Sequence, residues 1–478
     1  MTSPAGPKNR PLAWACAAMG GSMLNTPGRP KPSFTGAATD SRQVKPGRLF
    51  FALPGERVDG FDFCGRAAEA GAAAVVVAAA RGMPAGCDAI PVIAVPDPRR
   101  ALGDLARAVR ARFKGRVVGV TGSNGKTTTK ELIAAALGAG GTVLCTQGNL
   151  NTDVGLPLTV LESTEAEDFW VLEMAMRARG EIAYLADIAK PNVGVVTNVA
   201  GAHLERLGTV DEVARAKGEI FHGLAKGGIA VFPADDARIE REASQLPESR
   251  KLRFGLTGSI PVRVLDIVPA GHKGCVVRLA VRATPLVLRL PLAGEHNARN
   301  AAAALAVVSA LHVPLLEAAA ALEGVALPPH RSRLIAQAGR TIMDDCYNAN
   351  PTSMLAALRA LATSVGASGR TFAVIGDMLE IGAEAAKQHE EIGRKVAELG
   401  FAGLVAVGDL ASHAARGARS AGLAKNRILA TLDVDLASVS IAEWSRPGDW
   451  VLVKASRGMR LERVLEALEK ALERKLGS

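Results

Sequence analysis

The stretch Arg116-Val-Val-Gly-Val-Thr-Gly-Ser-Asn-Gly-Lys126 followed by Thr127 and Thr128 holds the residues whose chemistry is plainest. An apolar run enters a glycine-containing turn, and a helical pattern starts at the lysine. Glycines let backbone N–H groups curl around a phosphate, and the start of a helix favours its negative charge. On this reading Gly122, Ser123, Asn124, Gly125 and Thr128 form the cradle. Lys126 neutralises the outer phosphate oxygens, and the Thr127 hydroxyl holds Mg²⁺. The pattern is the shorter G-x-x-G-K-T, because Val120 stands where a standard P-loop has its first glycine. A second oxygen ligand for Mg²⁺ is expected at the end of a neighbouring strand, and Phe169-Trp-Val-Leu-Glu173 supplies a carboxylate there. Alone, the loop could be a turn with an incidental lysine, and Glu173 a solvated strand end. Their pairing favours the phosphate site.

The elements that must position these residues fall into three blocks, 1–114, 115–327 and 328–478. The middle block alternates short apolar runs (Val117 to Val120, Phe169 to Leu172, Val193 to Val196, Ile229 to Phe232) with helical segments. That alternation predicts a parallel sheet covered on both faces. Residues 262–290 alternate in β fashion without a helix, so a small antiparallel section is expected. Pro328-Pro329 punctuates the next boundary. Beyond it, Phe372 to Ile375, Leu404 to Val407 and Trp450 to Val453 read as buried strands of a smaller Rossmann-like domain. The fold class is therefore α/β in three domains: a first domain, a central P-loop domain and a Rossmann-like C-terminal domain.

The chain has 478 residues, too many for one ordinary core, and its 48% hydrophobic and 22% charged content is that of a folded soluble protein. The formal charge of +10 suits anionic ligands such as nucleotides. With 4% aromatics and no dense basic block interleaved with rings, nucleic acid is not expected as a partner. Six dispersed cysteines without a C-x-x-C pair argue against zinc or disulfides and for a reducing compartment. Lys8 and Arg10 before the apolar Leu12 to Met19 could pass for a signal peptide, but the run is short and lacks a cleavage site. The alanine-rich 301–322 run carries Pro314 and Glu317, so it reads as buried helices and not a membrane span. A cytoplasmic monomer is expected, and Met1 to Arg10 read as an extension without a role.

Several motifs together resemble the Mur ligases: G-x-x-G-K-T, the Glu173 strand, Asn198-Val-Ala-Gly-Ala-His-Leu-Glu205, Ala216-Lys-Gly-Glu219 and Gly294-Glu-His-Asn-Ala-Arg-Asn300. Thr39-Asp-Ser-Arg42, Pro46-Gly-Arg-Leu-Phe-Phe-Ala-Leu53 and Asp59-Gly-Phe61 are similar to the uridine-binding first domain of members that extend the peptide late. Gly148 to Pro157, Asp344-Asp-Cys-Tyr-Asn-Ala-Asn-Pro351 and Ile375-Gly-Asp-Met-Leu-Glu380 resemble the member that adds a dipeptide. The D-N-P-R motif of the diaminopimelate-adding member is missing.

The resemblance implies ATP and two Mg²⁺ ions, with UDP-N-acetylmuramoyl-tripeptide and D-alanyl-D-alanine as substrates joined through an acyl phosphate. It implies that Glu173, Thr127, His203 and a carbamylated Lys217 ligate metal, with Lys126, His203 and Lys217 catalytic. Asn297 and Asn300 would contact adenine, while Arg333 and Asp345 would reach nucleotide phosphate and ribose. Ser41 and Arg42 would hold the UDP-sugar. Asn151 and Thr152 would meet substrate, and Asn348 and Asn350 would form the dipeptide side. Ser332 and Ala175 stand where the family usually has glycine. Folylpolyglutamate synthase should lack the first-domain motif, and a P-loop GTPase should carry N-K-x-D, whereas Asn198 precedes Val199. A degenerate, non-catalytic nucleotide binder is disfavoured by intact Lys126, Thr127, Glu173, His203 and Lys217.

Overall fold

The computed structural model describes residues 6–27, 32–55, 58–201, 207–366 and 369–477. It divides into two compact units: 1–121 with 140–195 and 218–230, and 122–139 with 196–217 and 231–478.

In the first unit, a five-stranded sheet runs in the order Ser22–Asn25, Val92–Val95, Ala74–Ala78, Leu49–Phe51, Ala37–Ala38. Its pairs are parallel except for Ser22–Asn25. The helix Pro98–Arg112 follows, with Asp97 as N-cap accepting from the Arg99 and Arg100 N–H groups and proline at its first position. Leu102, Leu105, Ala106 and Val109 face the core at helical spacing, which leaves the arginines free to point elsewhere.

Those arginines reach the middle-domain part of the same unit. Arg99 pairs with Asp153 at 2.8 Å, Arg107 with Asp187 at 2.7 Å and Arg112 with Glu165 at 3.1 Å. Arg110 donates to the carbonyls of Ala189 and Lys190. The N-terminal stretch joins this seam, which corrects the expectation for Met1 to Arg10 insofar as those residues are described. Arg10–Pro11 pairs antiparallel with Ser33–Phe34. The wholly buried Arg10 side chain donates to Glu165 at 2.9 Å and to the Leu161 and Ser163 carbonyls at 3.2 and 2.7 Å.

The same unit holds Arg116–Thr121, whose β-branched residues suit a strand buried on both faces. Phe169–Glu173 lies parallel to it in register, placing Glu173 opposite Val120, and pairs on its other side with Val143–Cys145.

The second unit contains the expected antiparallel section, Val262–Pro269, Cys275–Val281 and Thr284–Leu290. The alanine-rich run forms two helices, Glu295–Leu311 and Leu315–Glu323. Among the described residues no helix is long and apolar enough to cross a membrane. The C-terminal sheet has six strands in the order Arg333–Gln337, Arg340–Asp344, Trp450–Lys454, Thr371–Gly376, Gly403–Val407, Ile428–Thr431, parallel except for the first. Three of these were not expected from sequence. Arg333–Gln337 and Ile428–Thr431 lie at the edges, half exposed, and so lack the long apolar run of a central strand. Apolar clusters fill both faces of this sheet, around Leu358, Leu404 and Leu452 on one and Phe372, Val405 and Leu468 on the other.

Candidate active site

The phosphate loop forms as its residue types require. Gly125 takes a left-handed φ of +76°, and a Cβ there would sit 2.8 Å from Asn300 Oδ1. A Cβ on Gly122 would lie 1.9 Å from Thr197 Oγ1, so the backbone approaches as only glycine can. The helix Lys126–Leu137 starts directly after Gly125, with Thr127 and Thr128 buried in its first turn. Such a turn aims its backbone N–H groups at an anion. Lys126 Nζ bends back to the Gly122 and Ser123 carbonyls at 2.9 and 3.4 Å.

A second loop clamps the first. Asn198 Oδ1 accepts from the Asn124 N–H at 3.0 Å, and Asn198 Nδ2 donates to the Asn124 carbonyl at 2.8 Å. Thr197 Oγ1 donates to that carbonyl at 2.6 Å. Ser123 Oγ donates to the Ala200 carbonyl at 3.0 Å and accepts from the Ala200 N–H at 2.9 Å. Thr197 and Asn198 thus matter to the site although sequence reading gave them no role. Their signal was the position directly after the Val193–Val196 strand, where strand ends present side chains to ligands. His203, four residues beyond Val199, lies outside the described residues.

Lys217 is buried on the helix Val210–His222. Burial, and then the charge of Lys126, push its pKa well below the ordinary lysine range. The same unit holds Asn297 and Asn300 on one buried helix face. Asn297 Nδ2 donates to the Ala293 carbonyl at 2.8 Å, and Asn300 Nδ2 to Asn297 Oδ1 at 3.3 Å. Asn300 of this pair lies beside Gly125.

In the first unit, Glu173 is buried at its strand end, and its Oε1 accepts from Asn151 Nδ2 at 2.8 Å. The Asn151 carbonyl accepts from the Ala175 N–H at 2.8 Å, while Thr152 Oγ1 accepts from the Gly155 N–H at 3.3 Å. Asn151 and Thr152 therefore orient the carboxylate and its loop. Ser41 is buried at the head of a short 3-10 turn. Arg42 is exposed, and its guanidinium and backbone N–H pull the Asp40 carboxyl down to about 2.

At the strand ends of the C-terminal domain, Asp345 Oδ1 accepts from the Ser332 N–H at 2.9 Å. Its other oxygen meets Lys454 Nζ at 2.5 Å, and that buried ammonium also donates to the Asn348 carbonyl at 2.9 Å. Lys454, the last residue of the Trp450–Lys454 strand, organises this corner, and sequence reading gave it no role. Arg333 and Asn348 are exposed. Asn350 caps the helix Pro351–Ser364 and donates to Asn124 Oδ1 at 2.7 Å, joining this domain to the phosphate loop. Ser332 adopts φ +48°, the conformation for which glycine is the natural residue.

Carboxylate and hydroxyl oxygens are the hard donors that Mg²⁺ takes, so Thr127 and Glu173 fit that ion by chemistry. Among the described residues no group of three or more His, Cys, Asp and Glu forms a metal cluster.

Sequence and structure comparisons identify the family. Three family models match: Mur ligase family, catalytic domain, at 33–110; Mur ligase middle domain at 120–308; and Mur ligase, glutamate ligase domain, at 330–457. The UDP-N-acetylmuramoyl-tripeptide–D-alanyl-D-alanine ligase of Bacillus subtilis (strain 168) is 36% identical over 91% of this chain and 93% of its own. The enzyme of the same name from Escherichia coli (strain K12) is 36% identical over 90% and 93%. A crystal structure of MurF from Acinetobacter baumannii superposes with a TM-score of 0.88 at 31% identity, covering 98% of this chain and 100% of that one. MurF ligase from Thermotoga maritima in complex with ADP gives 0.81 at 32% identity, over 92% and 98%. These structures share the three-domain α/β architecture. With all three of its regions matched, the chain belongs to the Mur ligase family.

Proposed function

We infer that this chain is the ATP-dependent ligase that joins D-alanyl-D-alanine to a UDP-N-acetylmuramoyl-tripeptide in peptidoglycan precursor synthesis, releasing ADP and phosphate. The observation that carries this is its likeness to ligases of that name across 91% of the chain, both outer domains included.

Each role rests on a named group. The ATP γ-phosphoryl group passes to the tripeptide carboxylate, breaking the bond to ADP and forming an acyl phosphate. The dipeptide amine then adds to the acyl carbon, and phosphate leaves with the electron pair. The loop from Gly122 to Thr128 holds the phosphates, and Lys126 leaves its carbonyl contacts to meet the transferring group. Thr127 and Glu173, with His203 and Lys217 as further candidates, would hold Mg²⁺, which offsets the negative charge of the reacting oxygens. The depressed pKa of Lys217 favours its free amine, the form that reacts with CO₂ to give a carbamate. Asn297 and Asn300 support the loop and face the adenine side, while Asp345, held by Lys454, and Arg333 serve nucleotide ribose and phosphate. Ser41 and Arg42 take the UDP-sugar, and Asn348 the dipeptide side. Six buried cysteines, none in a disulfide, support a cytoplasmic setting.

Phosphate release from ATP tests the reading. Release that requires both UDP-N-acetylmuramoyl-tripeptide and D-Ala-D-Ala is expected. Turnover with the dipeptide precursor and a single amino acid instead would move the chain to a neighbouring family member. ATP binding without turnover on either pair would sink the enzyme reading.

A further inference from the structure

Asparagine 124, at the crown of the phosphate loop, is held from two directions. Asn198 engages both edges of its backbone, as described above. Its side-chain Oδ1 is the acceptor for Asn350 Nδ2 at 2.7 Å, a contact across 226 positions of sequence. The orientation of Asn350 is set by its other bonds. Its Oδ1 accepts from the Ser353 N–H at 2.9 Å, and Ser353 Oγ accepts from the Asn350 N–H at 3.0 Å, a complete capping box before Pro351. An amide whose oxygen caps a helix can offer only its NH₂ group outward. The bond to Asn124 Oδ1 is therefore donor to acceptor without a competing arrangement.

We propose that Asn350 is a positioning residue whose bond to Asn124 couples nucleotide occupancy of the phosphate loop to the placement of the Pro351–Ser364 helix on the acceptor side. This rests on the ligase reading above. The same side chain terminates the helix and touches the loop, so no flexible linker lies between the two events. A phosphate chain in the cradle fixes the loop backbone, and Asn124 carries that order to the helix start. Asn348 stands two residues before the cap, and its carbonyl accepts from Lys454 Nζ at 2.9 Å, so ordering the cap orders the corner that would receive the incoming amine. The bond joins two neutral amides and can be made and broken within turnover.

The test separates capping from coupling. Asn350→Ser keeps a good N-cap oxygen and removes the outward donor. The expected result is a thermal midpoint within a few degrees of wild type, as the cap is kept. The kcat/KM for D-Ala-D-Ala falls about 3- to 10-fold, the range for one lost hydrogen bond. Asn124→Ala combined with Asn350→Ser should be no worse for the dipeptide than the more severe single change. Wild-type behaviour in Asn350→Ser would reduce Asn350 to a cap. Multiplying losses in the double variant would make Asn350 a direct dipeptide contact. Both outcomes overturn the proposal. Amide hydrogen exchange gives a readout independent of ligase activity: a non-hydrolysable ATP analogue should slow exchange at the start of the 351–364 helix in wild type and not in Asn350→Ser. Equal protection in both proteins would also overturn it, whereas a wild type lacking dipeptide-dependent phosphate release would overturn only the ligase reading.

Discussion

The two outer domains are joined to the middle one by opposite chemistry. On the first-domain side the seam is ionic and multiple: Arg10 and Arg112 with Glu165, Arg48 with Glu162, Arg99 with Asp153, and Arg107 with Asp187. On the C-terminal side, a polar contact that reaches the phosphate loop is the neutral amide pair Asn350 and Asn124. A seam of several guanidinium–carboxylate pairs opens only if many bonds break together. A single amide bond is worth about 1 kcal/mol and can open repeatedly. The difference suits the function proposed above, in which the first domain would keep the nucleotide sugar while the acceptor side would admit a new dipeptide each cycle.

Breaking the ionic seam should give the largest effect. Arg10 is wholly buried with Glu165 almost so, and Arg10→Ala would remove one of three cations from that carboxylate and the buried guanidinium bonds to the Leu161 and Ser163 carbonyls. A loss of about 2–3 kcal/mol in urea unfolding is expected, the range for lost hydrogen bonds to a charged group. A loss under about 1 kcal/mol would mean that the exposed pairs around it carry the seam. Those pairs alone should contribute little, since both members of Arg99–Asp153 are more than two-fifths exposed.

A pH series sharpens the contrast next. Glu165 titrates below its ordinary range: burial opposes this, but hydrogen bonds from Arg10 and Lys8 outweigh it, so the ionic seam is insensitive near neutrality. The C-terminal domain carries a sensitive counterpart. His389 is fully buried, its Nε2 accepts from the Met378 N–H at 2.9 Å, and its Nδ1–H donates to the Ala385 carbonyl at 2.7 Å. Burial lowers its pKa, with the backbone bond to Ala385, the Asp377 carboxylate and His413 acting as smaller influences. The unfolded chain, with a value of about 6.5, takes up a proton first as pH falls. Stability from this group is therefore complete above about pH 6.5 and declines below it toward the folded value, by at most about 1.4 kcal/mol per pH unit. His389→Gln, which keeps an acceptor for Met378, should flatten the slope in that window. An unchanged slope would place the sensitivity elsewhere.

The smallest effect is expected at the linker into the C-terminal domain. Ser332→Gly relieves a left-handed side chain, worth roughly 1 kcal/mol, and loses roughly half of that to the freer unfolded glycine. A net gain of about 0.5 kcal/mol in urea unfolding is expected, and a loss would show that the Ser332 Oγ contact to Asp345 at 3.4 Å matters more than the backbone.

The sequence by itself determined the parts whose chemistry is local. A glycine turn between an apolar strand and a helix is set by local residue types, and Gly122, Gly125, Lys126 and Thr127 were legible as that strand–turn–helix for that reason. So were the central strands, because burial on both faces writes an unbroken apolar run. The edge strands Arg333–Gln337 and Ile428–Thr431 were not, because one open edge permits polar residues and erases the signal. Tertiary structure alone decided which side chains meet. Arg10 looked like part of a loose extension until Glu165 and the Leu161 and Ser163 carbonyls closed around it. Asn350 looked like a substrate contact or a turn residue until Asn124 stood 2.7 Å away. Hydrogen bonds between residues 155 and 226 positions apart leave no period or spacing in the chain, so only folding could reveal them.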